Sequence, residues 1–209
     1  VSLMALSLAA CGGSSTTTTT PVVDTPAVDA PAAVGLVFNM TSSADTIATN
    51  ATEAKFQTTS DADTFRAMAD GLLTSADYID GGDGVDTLKV TEALTSSGEV
   101  IKPTLVSVEE VEITTTSTGA STGTFDLKLA TGVTKLTALD LTGTDHSSQT
   151  SVVTFDNVDA GLDVNVSGGS TGGDGVAASL TINVEGATTE TADALTVELS
   201  DGLLNALTV

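Results

Sequence analysis

From about residue 89 to the end, the chain repeats one pattern of apolar residues at alternate positions followed by Thr, Ser, Gly, Asp and Asn. The runs are Val111-x-Ile113, Leu127-x-Leu129, Leu139-x-Leu141, Val153-x-Phe155, Leu162-x-Val164-x-Val166, Leu180-x-Ile182-x-Val184, Leu195-x-Val197-x-Leu199 and Leu207-x-Val209. Alternation with a period of two, bounded by turn formers, predicts half-buried strands. Upstream the signal is different. Ile47, Phe56 and Phe65 recur every nine residues, and the phrases Ala44-Asp45-Thr46-Ile47 and Ala62-Asp63-Thr64-Phe65 are near copies. After an interruption, Asp77-Tyr78-Ile79 and Asp86-Thr87-Leu88 resume the nine-residue phase. Such a period predicts a coil of short strands and tight turns, each turn burying one apolar residue. The best helix candidate is the interruption itself, Thr64 to Leu73, where Phe65, Met68, Ala69 and Leu72 fall on one helical face. The expected fold is all-β, a parallel β-helix or β-roll-like solenoid of short strands, with a β-sandwich for residues 100–209 as the alternative.

Composition narrows what such a fold could do. Six Lys and Arg against 28 Asp and Glu leave a formal charge of -22, which repels nucleic acid and anionic membrane and favours a basic ligand or a divalent cation. Aromatic residues make up 3% of the chain and Trp is absent, so burial must come from many small side chains. Thin repetitive layers suit that supply. A single Cys and a single His cannot assemble the usual zinc or iron sites, whereas calcium asks only for oxygen ligands.

Four regions are expected. Residues 1–11 form an apolar run ending in Leu8-Ala9-Ala10-Cys11, which resembles a bacterial lipoprotein signal with Cys11 as the lipidated residue. The run is too short to span a bilayer, and no Lys or Arg precedes it, so either the true start is expected upstream or the reading frame is truncated. Residues 12–34, rich in Thr and Pro, read as a disordered tether. Residues 35–92 are a degenerate nonapeptide region of calcium turns, and residues 93–209 a Thr-rich domain of β-rungs, expected to continue past Val209.

The chemistry concentrates in Gly81-Gly82-Asp83-Gly84-Val85-Asp86-Thr87-Leu88-Lys89, which fits the nonapeptide G-G-x-G-x-D-x-U-x at every specified position. Glycines let backbone carbonyls converge, Asp86 and Asp83 supply hard carboxylate oxygen, and Leu88 anchors the turn in the coil. Asp77 and Asp80 stand close by in sequence, so the candidate Ca2+ ligands are Asp77, Asp80, Gly81, Gly82, Asp83, Gly84 and Asp86. The competing reading is a Gly-Asp surface turn with no metal. A second opening of this type, Gly172-Gly173-Asp174-Gly175-Val176-Ala177, has Ala at the ligand position and is not expected to bind calcium strongly.

The phrases MTSSADTIATN, SDADTFRA and LTSADYIDGGDGVDTLKV, followed by LVSVEEVEITT and GVTKLTALDLTGT, resemble calcium-binding surface-layer and repeats-in-toxin-related exoproteins of Gram-negative bacteria over residues 38–142. The resemblance implies an extracellular, calcium-dependent structural protein that forms a lattice or mediates adhesion, with ligand positions Gly81, Gly82, Asp83, Gly84 and Asp86. The leader departs from that family, whose one-step export uses a C-terminal signal. The expected function is therefore a calcium-stabilised, non-catalytic cell-surface or surface-layer-like protein. An adhesin or ligand-binding module, or an accessory fragment of a larger secreted enzyme, is the alternative. Expected partners are calcium and either further copies in a surface array or a cell-envelope polysaccharide. Nucleic acid is excluded, and membrane contact is limited to a lipid anchor, at the outer membrane if Cys11 is acylated.

Enzymatic signatures lack context. Gly119-Ala120-Ser121-Thr122-Gly123 fits G-x-S-x-G, with Asp126, Asp140 and His146 downstream, but it lies in a low-complexity Thr/Ser/Gly stretch rather than a strand-to-helix turn. SGGSTGGDG lacks the Lys of a phosphate loop, and no H-E-x-x-H occurs.

Overall fold

The computed structural model describes residues 34–93, 98–117, 122–143, 152–167, 179–185, 196–200 and 206–209. Cys11, His146, Gly119 to Ser121 and the Gly172 to Ala177 turn lie outside them, as does nearly all of the expected signal and tether.

The described chain is an all-β parallel solenoid. Its strands are β1 (Val37–Asn39), β2 (Thr46–Ile47), β3 (Thr64–Ala67), β4 (Tyr78–Asp80), β5 (Thr87–Ala93), β6 (Glu99–Ile101), β7 (Thr104–Val106), β8 (Glu110–Ser117), β9 (Thr122–Asp126), β10 (Ala130–Thr131), β11 (Lys135–Gly143), β12 (Val152–Val158), β13 (Asp163–Ser167), β14 (Ser179–Val184), β15 (Thr196–Ser200) and β16 (Ala206–Thr208). The first sheet runs β1-β3-β5-β8-β11-β13-β15, the second β2-β4-β7-β10 and the third β6-β9-β12-β14-β16. Every described pairing is parallel, which excludes the antiparallel sandwich considered for residues 100–209. The cross-section changes along the axis. Early coils use the first and second sheets, the coils starting at β5 and β8 use all three, and later ones use the first and third.

Inward residues stack in register. Phe38, Phe65, Leu88, Val111, Leu136, Val164 and Val197 form one row of the first sheet. In the second sheet Ile47, Ile79 and Leu105 stack, and in the third Ile101, Phe125, Phe155 and Ile182. Small β-branched and aliphatic residues therefore build the core one layer per coil, as the composition requires. Phe38 stacks on Phe65 with ring centroids 5.4 Å apart, and Phe125 tilts against Phe155 at 6.1 Å. Each fully buried residue of this kind contributes about 1.5–3 kcal/mol.

Several sequence readings need correction. Thr64 to Leu73 is not a helix: Phe65 and Ala67 alternate into the core from β3, and Met68 is exposed. The row set by Phe38 and Leu88 captures Phe65 as a strand residue, overriding its helical spacing. Phe56 is not a strand residue but ends a short 3-10 turn, Ala54–Phe56. Leu127-x-Leu129 follows β9 rather than forming a strand. Leu127 is buried at a corner, where its carbonyl accepts from Ala130 N–H, while Leu129 is exposed. In β11 the inward residues are Leu136 and Ala138, one position off the expected Leu139 phase. The expected boundary between residues 92 and 93 falls within β5, which continues the first sheet without a break.

The nine-residue spacing also proves to have a different origin. Stacked positions of the first sheet are 27, 23, 23 and 25 residues apart, as in Leu36 to Asp63, Asp63 to Asp86, Asp86 to Glu109 and Glu110 to Lys135. The nine residues from Asp77 to Asp86 cross from the second sheet to the first within one coil, so these two aspartates do not stack.

Candidate metal centre

Four aspartates stand immediately before a strand, two residues ahead of an inward apolar residue: Asp45 before Ile47, Asp63 before Phe65, Asp77 before Ile79 and Asp86 before Leu88. All four are buried. At these corners the backbone turns from loop to strand and leaves N–H groups without a ladder partner, and the carboxylates fill that gap.

Asp45, Asp63 and Asp77 each engage both oxygens. Thr41 N–H donates to Asp45 Oδ2 at 2.7 Å, Thr59 N–H to Asp63 Oδ2 at 2.7 Å and Thr74 N–H to Asp77 Oδ2 at 2.7 Å. The remaining oxygen reaches along the axis to the neighbouring coil in two of them. Asp77 Oδ1 accepts from Asp45 N–H at 2.8 Å, and Asp63 Oδ1 from Leu36 N–H at 2.6 Å. Asp45 Oδ1 instead takes the Thr41 hydroxyl. The ladder of the first sheet continues through Asp86 Oδ1, which accepts from Asp63 N–H at 2.6 Å, and Glu109 Oε2, which accepts from Asp86 N–H at 2.8 Å. In the second sheet it stops at Pro103, the residue stacked after Asp77, which has no carboxylate to offer. Hydrogen bonds to an ionised acceptor are worth about 1.5–3 kcal/mol each.

Asp86 departs from its sisters. It is 0% exposed, yet Oδ2 has no donor among the described residues. The local N–H that caps the other three would come from the glycine turn, and there the chain runs with φ of 91° at Gly82 and 125° at Gly84 instead. Gly84 packs on the Asp61 backbone, and no side chain would fit at that φ. Gly81 is confined by contact: a methyl group there would strike both Ser107 carbonyl oxygen and Asp86 Oδ2, so these two oxygens converge on one glycine. Burial, with the Asp63, Glu109 and Asp80 carboxylates adding to it against the Asp63 N–H, pushes the Asp86 carboxyl up to about 6. Asp61, whose backbone lies against Gly84, also has a buried oxygen, Oδ2, without a donor among the described residues.

Of the residues named from sequence, Asp80, Gly81 and Asp86 are brought together at this corner, with Asp80 half-buried at the end of β4. Asp83 is at the exposed tip of the turn with Gly84, and Gly82 is half-buried. Asp77 belongs to the second sheet, where its oxygens are committed to caps. Sequence reasoning missed Asp61, Asp63, Glu109 and the Ser107 carbonyl. The spacing Thr41 to Asp45 and Thr59 to Asp63 was the available signal for the caps. Among the described residues no three His, Cys, Asp or Glu side chains are grouped as a metal cluster, so an ion here would draw the rest of its oxygens from backbone carbonyls. The oxygen-only donor set and the unsatisfied Asp86 Oδ2, converging with the Ser107 carbonyl on Gly81, fit a hard cation.

No protein-family model, curated protein or solved structure matches this chain.

Proposed function

We propose that the chain is a calcium-stabilised, non-catalytic structural protein of the bacterial cell surface or a surface layer, working outside the cell. The observation that carries the reading is Asp86 Oδ2, a buried carboxylate oxygen without a donor among the described residues and in the negative field of Asp63, Glu109 and Asp80. A divalent cation would supply the positive partner that the glycine turn withholds. Millimolar extracellular calcium is the concentration range in which modest sites fill, and filling one would lock the turn onto the coil. Asp80, Asp86 and backbone carbonyls of the glycine turn and of Ser107 are the proposed ligands, while Asp77 acts through its caps and Asp83 stays at the exposed tip of the turn. A lipid on Cys11 would tether the solenoid to a membrane.

The test is thermal unfolding of the full chain in millimolar calcium and in chelator. Calcium is expected to raise stability by about 2–3 kcal/mol at a hundredfold excess over Kd. Asp86→Asn, which keeps an acceptor for Asp63 N–H, is expected to lose that increment, whereas Asp77→Asn lowers stability equally in both conditions. Identical melting of the unaltered chain in calcium and chelator would sink the calcium reading.

A specific feature favours an adhesin as the second reading. Val100, Thr124, Thr154, Thr181 and Thr208 form one register-matched, uncharged outward row of the third sheet. Hydroxyls repeating about every 4.8 Å suit a polymeric hydroxylated ligand such as an envelope polysaccharide. Retention of labelled polysaccharide that Thr154→Lys abolishes would favour this reading.

A further inference from the structure

Glu92 ends the inward row of β5. Leu88, Val90 and Glu92 alternate into the interior, and Glu92 is 2% exposed. Its register partner on β8 is Thr115, also buried. On the other side β3 has already ended at Ala67, and the chain turns at Gly71, whose φ is 68°. That turn sets Asp70 and Gly71 against the Glu92 carboxyl. Gly71 N–H donates to Glu92 Oε1 at 3.4 Å, and Ala93 N–H donates to Asp70 Oδ1 at 3.2 Å. Glu92 Oε2 has no donor among the described residues, and the two backbone bonds hold the Asp70 and Glu92 carboxyls at the same turn. Two ionised carboxylates cannot bond to each other, and side by side they repel.

The surrounding charges do not relieve the conflict. Glu99 of β6 adds negative potential. Arg66 of β3 is exposed on the outer face, Lys89 of β5 turns outward to Glu112 at 3.0 Å, and Glu110 of β8 pairs with Lys135 at 3.5 Å. A cation between the carboxyls would face the Gly71 and Ala93 N–H dipoles already directed at Oε1 and Oδ1, which disfavour it. A proton meets no such opposition and converts one acceptor into the missing donor.

We propose that the Glu92 carboxyl keeps its proton at neutral pH and donates it in a hydrogen bond to an Asp70 carboxyl oxygen, closing the solenoid wall where β3 ends, and that loss of this proton in mild alkali loosens the seam. The inference is independent of calcium at Asp86. Burial foremost, with Asp70 and Glu99 adding and the Gly71 N–H opposing, pushes the Glu92 carboxyl up to about 8. A carboxyl raised above its unfolded value contributes stability that is complete in acid, below the unfolded pKa, and is lost as pH rises through about 8.

The experiment is unfolding of the full chain between pH 6 and 9 in chelator, so that a failure of the calcium reading leaves it intact. The melting temperature of the unaltered chain is expected to fall by several degrees across this range, about 1 °C for every few tenths of a kcal/mol. Glu92→Gln, whose amide donates to Asp70 at every pH, should flatten that fall and melt above the unaltered chain at pH 9. Carbon NMR of the Glu92 carboxyl should report the protonated form at pH 7, a readout that does not depend on the variant folding well. An ionised Glu92 at pH 7 or an unchanged pH slope in Glu92→Gln would each overturn the proposal.

Discussion

The backbone N–H of Asp63 meets Oδ1 of Asp86 at 2.6 Å although 23 residues separate them. Each residue occupies the same place in its own coil, one position before the strand. The bond therefore runs along the solenoid axis, parallel to the ladder of the first sheet, and ties the start of one rung to the start of the next. In a fold whose layers touch only their neighbours, such axial bonds set the register in which inward rows such as Phe65 on Leu88 can form.

Asp63 is the member of this series with the most donors: Leu36 N–H, Thr59 N–H and the Thr59 hydroxyl. Asp63→Ala leaves two backbone N–H groups without their acceptor and is expected to cost about 2–5 kcal/mol. Asp63→Asn keeps one carbonyl acceptor and should cost less than half of that. Urea unfolding of the two variants checks the order. Equal losses would mean that packing, rather than capping, is what Asp63 supplies.

The strand phase was legible in β12 and β14 but not in β11, where Leu136 and Ala138 rather than Leu139 face inward. Val153 with Phe155 and Leu180 with Ile182 alternate inward as their spacing predicts, because a register slip would expose the whole set. Stacking was not legible from the same signal. A period within the chain records how often the backbone returns to a similar corner, and a coil with more than one side offers several such corners. Asp45 and Asp63 share a phrase but lie on different sheets, whereas Asp45 and Asp77, 32 residues apart, are stacked partners. At the candidate site Asp86 could be found because the nonapeptide names it. Glu109 and the Ser107 carbonyl could not, since each arrives from the next coil and carries no motif of its own.

Ser107 holds φ of 48°, a left-handed conformation that costs a residue with a Cβ about 1 kcal/mol. The positions stacked on either side of it are glycines. Gly81 N–H donates to the Val106 carbonyl just before Ser107, and a Cβ on Gly132 would lie against Ser107 Cα and N. Ser107→Gly is therefore expected to stabilise the chain by about 0.5–1 kcal/mol in chelator, because it removes strain and leaves the carbonyl in place. Gly81→Ala at the facing position should do the reverse and cost more than that gain, since its methyl has both Ser107 O and Asp86 Oδ2 in its way. A destabilised Ser107→Gly would show that the hydroxyl has a role that outweighs the backbone conformation.

On the outer surface of the third sheet, Asp126 and Asp156 are aligned in adjacent rungs, an arrangement of like charges that would weaken the pairing of β9 with β12. Cations and amides offset it. Lys102 Nζ lies 3.1 Å from Asp126 Oδ2, Asn157 Nδ2 donates to Asp126 Oδ1 at 2.7 Å, and Asn183 Nδ2 donates to Asp156 Oδ1 at 3.2 Å. Burial works to raise the Asp126 carboxyl, but the Lys128 N–H, Lys102 and Asn157 together outweigh it and hold it below its ordinary value. A depressed carboxyl contributes stability that is present above the unfolded pKa of about 3.9 and disappears as pH falls through the lower folded value. Lys102→Met, which retains the apolar stem, is accordingly expected to cost about 1 kcal/mol at neutral pH. The difference from the unaltered chain should shrink as pH falls below 4 and also as salt rises toward about 1 M. Thermal unfolding at pH 7 and pH 3, each at low and high salt, measures both effects. A cost that stays constant across all four conditions would assign the role of Lys102 to its stem and not to its charge.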